Sequence, residues 1–131
     1  MNTIILLVES KSAWLPKRWA EAAGGRHISD GQIMIEQETD WLSIVRDDQV
    51  LDDFDEEERA RLGELVSAPT AYLVEWKGDV LVERLLRSIP TATRAAVDND
   101  HGLLVPVHLV AGEPLDSWIK ASSLLYGRTA Q

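Results

Sequence analysis

The stretch from Ala71 to Val110 constrains the fold of this 131-residue chain more than any other. It begins with the short apolar run Ala71–Trp76, which is typical of a strand and which Gly78-Asp79 interrupts. Apolar residues then recur at the spacing i, i+3, i+4, i+7, which predicts an amphipathic helix; they are Val82, Leu85, Leu86 and Ile89. Pro90 ends this helix, because proline has no N–H to continue the hydrogen-bond ladder. The pattern predicts a strand followed by a helix.

A β-hairpin is expected after that helix. The apolar runs Arg94–Val97 and Leu103–Val110 are joined by the sequence DNDHG at positions 98–102. Asp and Asn side chains bond to their own backbone in turns, and Asn and Gly tolerate positive φ. The five residues therefore predict a turn between two strands.

The N-terminal part of the chain adds a strand, a helix and a second hairpin. Thr3–Val8 is a continuous apolar run, which favours a central strand buried on both faces. A helix is expected to begin near Pro16 and to end at Gly24-Gly25. The runs Gln32–Gln37 and Trp41–Arg46 then predict a hairpin.

Two further helices complete the expected order. Asp55 with Glu58 three residues on resembles a capping box and predicts a helix to about Val66. A last helix is expected after Pro114, with its stripe at Leu115, Trp118, Ile119, Ser122 and Leu125.

The whole order predicts an α+β fold. We expect one globular domain over residues 1–131, with a mixed or mainly antiparallel sheet of about five to six strands, two β-hairpins among them, and about four helices packed on it.

The negative charge of the chain is concentrated in one segment. Of the 22 acids that give a net charge of −9, eleven lie between Glu36 and Glu58, where Arg46 is the only base. This acidic segment, Glu36–Glu58, carries −10, and the rest of the chain sums to +1. Such a field repels nucleic-acid phosphates and anionic membrane surfaces and attracts basic partners. We therefore expect no nucleic-acid partner and no membrane partner.

The acidic segment has three interpretations. Its carboxylates are solvated and aid solubility, or they form a recognition surface for a basic protein, or they converge on a metal ion. Aromatic residues among the acids favour the recognition surface, because aromatic side chains are frequent hot spots. The alternative is that the rings of Trp41 and Phe54, the aromatic residues in question, point into the core. The predicted partner-binding residues are Asp47, Asp48, Asp52, Asp53, Asp55, Glu56, Glu57, Trp41 and Phe54.

The sequence carries no recognisable catalytic constellation. None of the serines lies in a Gly-x-Ser-x-Gly context, and Gly24-Gly25 is not followed by a phosphate-binding pattern. Without cysteine there is no disulfide framework, no thiolate chemistry and no Cys-based zinc site. No apolar run approaches the roughly 20 residues that cross a bilayer, and Ile4–Val8 is too short for a signal-peptide core. We expect a cytoplasmic protein without catalytic residues and without a cofactor.

A second hypothesis places a small-molecule or metal site, or a minor enzyme, near Asp98–His108. Asp98, Asp100 and His101 could supply ligands to a divalent cation, although the pattern lacks the closing glutamate of a calcium loop. Asp and Asn before Gly are also the ordinary composition of a hairpin turn. The turn is the stronger interpretation.

In size, acidity and lack of catalytic residues the chain is similar to bacterial immunity and antitoxin proteins, which neutralise a basic toxin enzyme. The similarity is one of composition and covers no motif. It implies a non-enzymatic inhibitor whose acidic segment contacts a basic protein. A homodimer formed through a sheet edge or through the helix that carries Trp14 and Trp19 is a third hypothesis.

Overall fold

The N-terminal apolar run forms the central strand of the molecule. This strand, β1 (Asn2–Glu9), has an antiparallel neighbour on each side, the strand Pro69–Lys77 and the strand Ala95–Asp98. Its side chains alternate between the two faces of the sheet. From Ile4 to Val8 the side chains on both faces are buried, except that of Ile5, which is partly exposed. A strand covered on both faces needs apolar side chains at every position, which is why the run has no polar alternation.

A computed structural model describes residues 2–121 of the chain. After β1 the strands are β2 (Arg26–Ser29), β3 (Gln32–Glu36), β4 (Trp41–Arg46), β5 (Pro69–Lys77), β6 (Ala95–Asp98) and β7 (Leu104–Pro106). The helices are α1 (Pro16–Ala22), α2 (Glu56–Leu65), α3 (Val80–Ser88) and α4 (Val107–Val110), with 3₁₀ helices at Asp48–Asp53 and Leu115–Ser117. The strands form one antiparallel sheet in the order β2-β3-β4-β5-β1-β6-β7.

The predicted α+β fold is confirmed, and the sheet has seven strands where five to six were expected. The additional strand is β2, which forms a hairpin with β3 through Asp30 and Gly31, the latter at φ 80°. All four residues of β2 are exposed, and a bulge shifts its register between His27 and Ser29. An exposed strand with a bulge lacks the alternation of apolar and polar residues by which strands are recognised in a sequence.

The second hairpin is shorter than its apolar run suggested. Strand β7 ends at Pro106, and the next four residues form the short helix α4. Pro106 cannot donate to the ladder, and the one-turn helix places Val107 and Val110 in the core from one face. The predicted strand over Leu103–Val110 is therefore wrong beyond Pro106.

The C-terminal helix is described only at its start. Leu115–Ser117 forms a 3₁₀ turn, and Leu115 and Trp118 are buried as the apolar stripe predicted. The predicted positions Ser122 and Leu125 lie outside the described residues.

The main core lies on one face of the sheet, beneath α1, α3 and α4. The strands contribute inward-facing residues such as Ile4, Leu6 and Val74, and α3 contributes its predicted stripe, of which Val82, Leu85 and Leu86 are buried. Trp76 and Trp118 are the largest side chains of this core and have no measurable exposure.

A smaller core lies on the opposite face. There the 3₁₀ helix Asp48–Asp53 and α2 cover the sheet; together they are called the outer layer. Six residues are buried where the outer layer packs on the sheet: Leu7, Phe54, Leu62, Val66, Ala71 and Ala96. The outer layer covers the part of the sheet near β1, β5, β6 and β7, and it contains most of the acidic segment.

None of the helices in the described part of the chain combines the length and the apolar character that crossing a bilayer requires.

Replacing Leu85 by alanine should lower the free energy of unfolding by about 2–5 kcal/mol, because the side chain is completely buried and its removal leaves a cavity. The matched control on the same helix is Val80→Ala. Val80 is 53% exposed, so this variant should change stability by no more than about 0.5 kcal/mol. Denaturant unfolding of both variants would measure the difference, and equal effects would show that the predicted face of α3 is not the packed one.

Candidate functional site

The acids at the start of α2 cap the helix. The Asp55 carboxylate accepts the backbone N–H of Glu58 at 2.7 Å, and the Glu58 carboxylate accepts the N–H of Asp55 at 3.1 Å. The predicted capping box is therefore present. Glu56 and Glu57 lie in the same first turn, where negative charge is favourable to the helix dipole.

Two further acids attach the 3₁₀ helix to the sheet. Asp47 caps it by accepting the N–H of Gln49 at 3.1 Å. Asp48 uses one oxygen to accept the N–H of Ala71 in β5 at 3.0 Å and the other to pair with Arg46. Asp47, Asp48 and Asp55 thus have structural partners within the protein, so their carboxylates are already engaged.

The other acids of the outer layer face solvent. Asp52, Asp53, Glu56 and Glu57 are exposed, and their carboxylates have no hydrogen bond or ion pair with another residue in positions 2–121. Four unpaired carboxylates on a short stretch of surface form a concentrated negative field. These are the members of the predicted partner-binding set that are free to contact another molecule.

The two aromatic residues of the predicted set have different positions. Phe54 is buried in the smaller core, with 6% of its surface exposed, so it holds the outer layer in place and does not present its ring to a partner. Trp41 is partly exposed at the start of β4, opposite Glu36 and Lys77. It lies five residues, or about 17 Å of strand, from the end of β4 that leads into the 3₁₀ helix. The two rings do not form one surface.

Asn99 organises the turn between β6 and β7. Its side-chain oxygen accepts the N–H groups of His101 and Leu103, at 2.8 and 3.2 Å. Its amide nitrogen donates to the carbonyl oxygens of Trp118 and Ala121, both at 2.8 Å. Asn99 is 1% exposed, so this one side chain connects the hairpin to the C-terminal part of the described chain. The turn predicted from the DNDHG sequence is present, with Gly102 at φ 91°.

Asp98 is the buried carboxylate of this turn. It is 7% exposed, and one of its oxygens accepts the N–H of Asp100 at 2.8 Å. Burial raises the pKa of Asp98 above its usual value; the hydrogen bond from Asp100 opposes this rise, and the charges of Glu58 and Asp100 add to it. Glu58 on α2 and Asp98 in the hairpin line the same cavities, so the two elements bring these carboxylates into one region.

This proximity joins two regions that the sequence presented separately. Asp98 and Glu58 are 40 positions apart, and no motif connects them. They come together because β6 pairs with β1 and α2 packs across the same face of the sheet. Only the tertiary structure shows that the acidic segment and the Asp98 turn belong to one surface.

A cavity of about 380 Å³ lies where these elements meet, and we call it the carboxylate groove. Its charged lining consists of Asp53, Glu58, Asp98 and Asp100. Its apolar lining includes Ile5 and Leu73 from the sheet and Val50 from the 3₁₀ helix. Within the described residues no lysine or arginine lines the groove.

The three residues considered as metal ligands, Asp98, Asp100 and His101, differ in exposure. Asp98 is buried, whereas Asp100 and His101 are exposed at the tip of the turn. His108 lies on α4, where it lines a different cavity with Leu86 and Thr93. In the part of the chain that the structure describes, no three Asp, Glu or His side chains are placed to hold a metal ion together.

No protein-family model matches the chain, and no curated protein and no solved structure matches it.

Replacing Asn99 by alanine should destabilise the protein by about 3 kcal/mol, because four hydrogen bonds of a buried side chain are lost together. Asp100→Asn is the control in the same turn. Asp100 is exposed at φ 62°, a conformation that asparagine tolerates, so this change should cost less than about 0.5 kcal/mol. Urea unfolding would compare the two, and a neutral Asn99→Ala variant would contradict the role of Asn99.

Asp98→Asn should have a pH-dependent effect on stability. Because the pKa of Asp98 is raised by folding, the folded protein keeps a proton that the unfolded chain has released between the ordinary Asp pKa and the raised one. Stability therefore falls as pH rises through that window, and the cost is fully present above the raised pKa. Asparagine keeps the oxygen that accepts the Asp100 N–H and removes the charge, so the variant should be more stable at neutral pH.

The same variant should gain nothing in acid below the ordinary Asp pKa, where Asp98 is neutral in both states. Denaturant unfolding of both proteins across this range would measure the difference. A stability gain that does not depend on pH would contradict the assignment to the Asp98 charge.

Proposed function

We propose that this protein is a non-enzymatic binding domain that uses the outer layer to engage a basic protein. The observation that carries the proposal is the group of four exposed carboxylates, Asp52, Asp53, Glu56 and Glu57, that have no partner within residues 2–121. Their exposure leaves them hydrated and available, and their proximity gives a field that extends about 8 Å at physiological salt.

The positions of the basic residues also support the outer layer as the binding surface. The basic side chains nearest to these acids in the sequence already have other partners. Arg46 pairs with Asp48, and Arg59 donates to the carbonyl oxygen of Phe54 at 2.9 Å. Arg61 lies 3.4 Å from Glu64 on the same helix. On the opposite face, α1 and α3 carry Lys17, Arg18, Arg84 and Arg87. The molecule therefore has one side that is predominantly acidic.

Such a surface contributes mainly to the rate and selectivity of association. Long-range attraction accelerates the encounter with a basic partner, and like charges repel acidic competitors. An inhibitor of the immunity or antitoxin type is one function that requires these properties, because it must reach a basic toxin enzyme quickly. We propose this inhibitor function as the specific form of the binding activity.

The test is capture of partners from a lysate of the source cells, followed by identification and binding kinetics with the purified partner. The variant Asp52→Asn, Glu56→Gln, Glu57→Gln removes three exposed charges whose carboxylates make no hydrogen bond or ion pair within residues 2–121. We expect the wild-type protein to capture a basic protein and the variant to associate with it roughly tenfold more slowly at low salt. Added salt should reduce the difference between them.

The control variant removes the same charge from the opposite side. Asp79→Asn, Glu113→Gln and Asp116→Asn change three exposed acids next to elements that pack in the main core. This variant should associate at close to the wild-type rate. If the two variants slow association equally, net charge and not the outer layer determines binding, and the proposal fails.

A further inference from the structure

We propose that a cavity between α3 and α4 binds a small carboxylate ligand with a short aliphatic body. The cavity has a volume of about 220 Å³ and lies on the face of the sheet that carries the main core, opposite the outer layer. We call it the α3–α4 cavity. It is separate from the surface proposed for the basic partner, and neither assignment depends on the other.

The cavity lies where two elements end and the chain changes direction. Helix α3 ends before Pro90, and the loop after it is closed by a hydrogen bond from the Thr93 N–H to the Pro90 carbonyl oxygen at 3.0 Å. Strand β7 ends at Pro106, and the chain turns into α4. Three lining residues have a methyl group or no side chain and leave the space between these segments open: Ala95, Ala111 and Gly112.

The inner part of the lining is apolar. Leu86, Ala95 and Val107 are buried residues of the main core, and Ile89 is partly buried against it. These side chains are aliphatic, so they favour an aliphatic group that leaves water to contact them. Pockets for drug-sized ligands measure about 300–1,000 Å³, so this smaller cavity suits a ligand with only a few carbon atoms.

The polar part of the lining consists of groups that can donate hydrogen bonds. These are Arg87, Thr91, Thr93 and His108, and no Asp or Glu within residues 2–121 lines the cavity. The His108 ring and the two threonine hydroxyls have no hydrogen bond or ion pair with another described residue.

Arg87 supplies the permanent positive charge. One of its nitrogens donates to Glu83 at 3.2 Å, in an exposed pair on the same helix. An exposed pair of this kind is weak, and the guanidinium group has five N–H donors. Arg87 can therefore contact a second carboxylate without losing its bond to Glu83.

The two parts of the lining together define the ligand. The cavities beside α2 are lined by acids, Glu58 and Asp98 among them, and disfavour an anion. On a protein of net charge −9, the α3–α4 cavity instead offers one arginine and three neutral groups that can donate to a carboxylate. A carboxylate head on an aliphatic body is complementary to both parts, and an apolar lining with a few polar groups is typical of small-molecule sites.

The experiment uses hexanoate as the probe. Hexanoate would be titrated into the isotope-labelled protein at constant ionic strength, with the backbone amides of Thr91, Thr93, His108 and Gly112 observed by NMR. Hexanamide keeps the body without the charge, and acetate keeps the charge without the body. We expect saturable shifts with hexanoate, binding at least fivefold weaker with hexanamide, and no saturation with acetate.

A variant that fills the cavity locates the site. A Cβ added at Gly112 meets no atom within 4 Å, and the backbone there is not left-handed, so Gly112→Leu should fold and obstruct the cavity. It should abolish the saturable shifts. The matched control is Gly63→Leu on α2, where an added Cβ also meets no atom within 4 Å, and this variant should bind hexanoate like wild type.

A second pair of variants tests the charge. The double variant Arg87→Gln, His108→Gln should weaken hexanoate to the level of hexanamide. Arg84→Gln removes an exposed arginine of the same helix that is not part of the cavity lining, and it should have no effect. Equal binding of hexanoate and hexanamide, shifts that do not saturate, or binding that survives Gly112→Leu would overturn the proposal.

The outer-layer variant separates this inference from the proposed function. Asp52→Asn, Glu56→Gln, Glu57→Gln should bind hexanoate like wild type, because these residues lie on the opposite face. If hexanoate binds but no basic protein depends on the outer layer, the cavity assignment stands and the proposed function fails. If a basic protein is captured through the outer layer but hexanoate does not bind, the function stands and the cavity assignment fails.

Discussion

The packing of Phe54, Leu62 and Val66 against Leu7, Ala71 and Ala96 is the interaction on which the acidic surface depends. The carboxylates of the outer layer repel one another, at a cost of about 0.2–0.5 kcal/mol for each neighbouring pair on a helix. Burial of a large apolar side chain contributes about 1.5–3 kcal/mol. Three such side chains therefore outweigh the repulsion, and the layer remains on the sheet despite its charge.

Capping divides the acids into two groups with different roles. Asp47, Asp55 and Glu58 bond to backbone N–H groups and determine where the 3₁₀ helix and α2 begin. Asp48 accepts the N–H of Ala71 and attaches the 3₁₀ helix to β5. The exposed carboxylates beside them have no such partner in the part of the chain that the structure describes, and they carry the surface charge. A segment that looks uniform in composition thus combines a structural set and a set that is free to interact. Substitutions in the two sets should be interpreted differently for that reason.

The sequence predicted most of the fold because the signals involved are local. The stripe of α3, the capping box of α2 and the DNDHG turn each depend on residues within about one or two turns of chain, and each is present. Strand β2 was missed because its residues are exposed and bulged. Helix α4 was missed because a short, continuous apolar run fits a buried strand as well as a helix. The carboxylate groove could not be predicted, since it requires the β1–β6 register and the position of α2 together.

The acidic segment shows that functional residues, too, could be predicted from the sequence only in part. Its charge was evident from composition, but the burial of Phe54 and the separate position of Trp41 were not. We therefore propose the exposed acids of the outer layer, and not the whole segment, as the interacting surface. The rest of the segment, from Glu36 to Asp40, lies at the β3–β4 connection, at the other end of β4 from the 3₁₀ helix.

The measurement that tests this account most directly is hydrogen–deuterium exchange on the protein with and without the basic partner. We expect slower exchange in the complex over residues 48–65 and 98–104, which contain the outer layer and the turn beside it. Exchange in α1 and α3, on the opposite face, should be unchanged. Protection confined to α1 and α3, with residues 48–65 and 98–104 unaffected, would contradict the central claim that the outer layer is the binding surface.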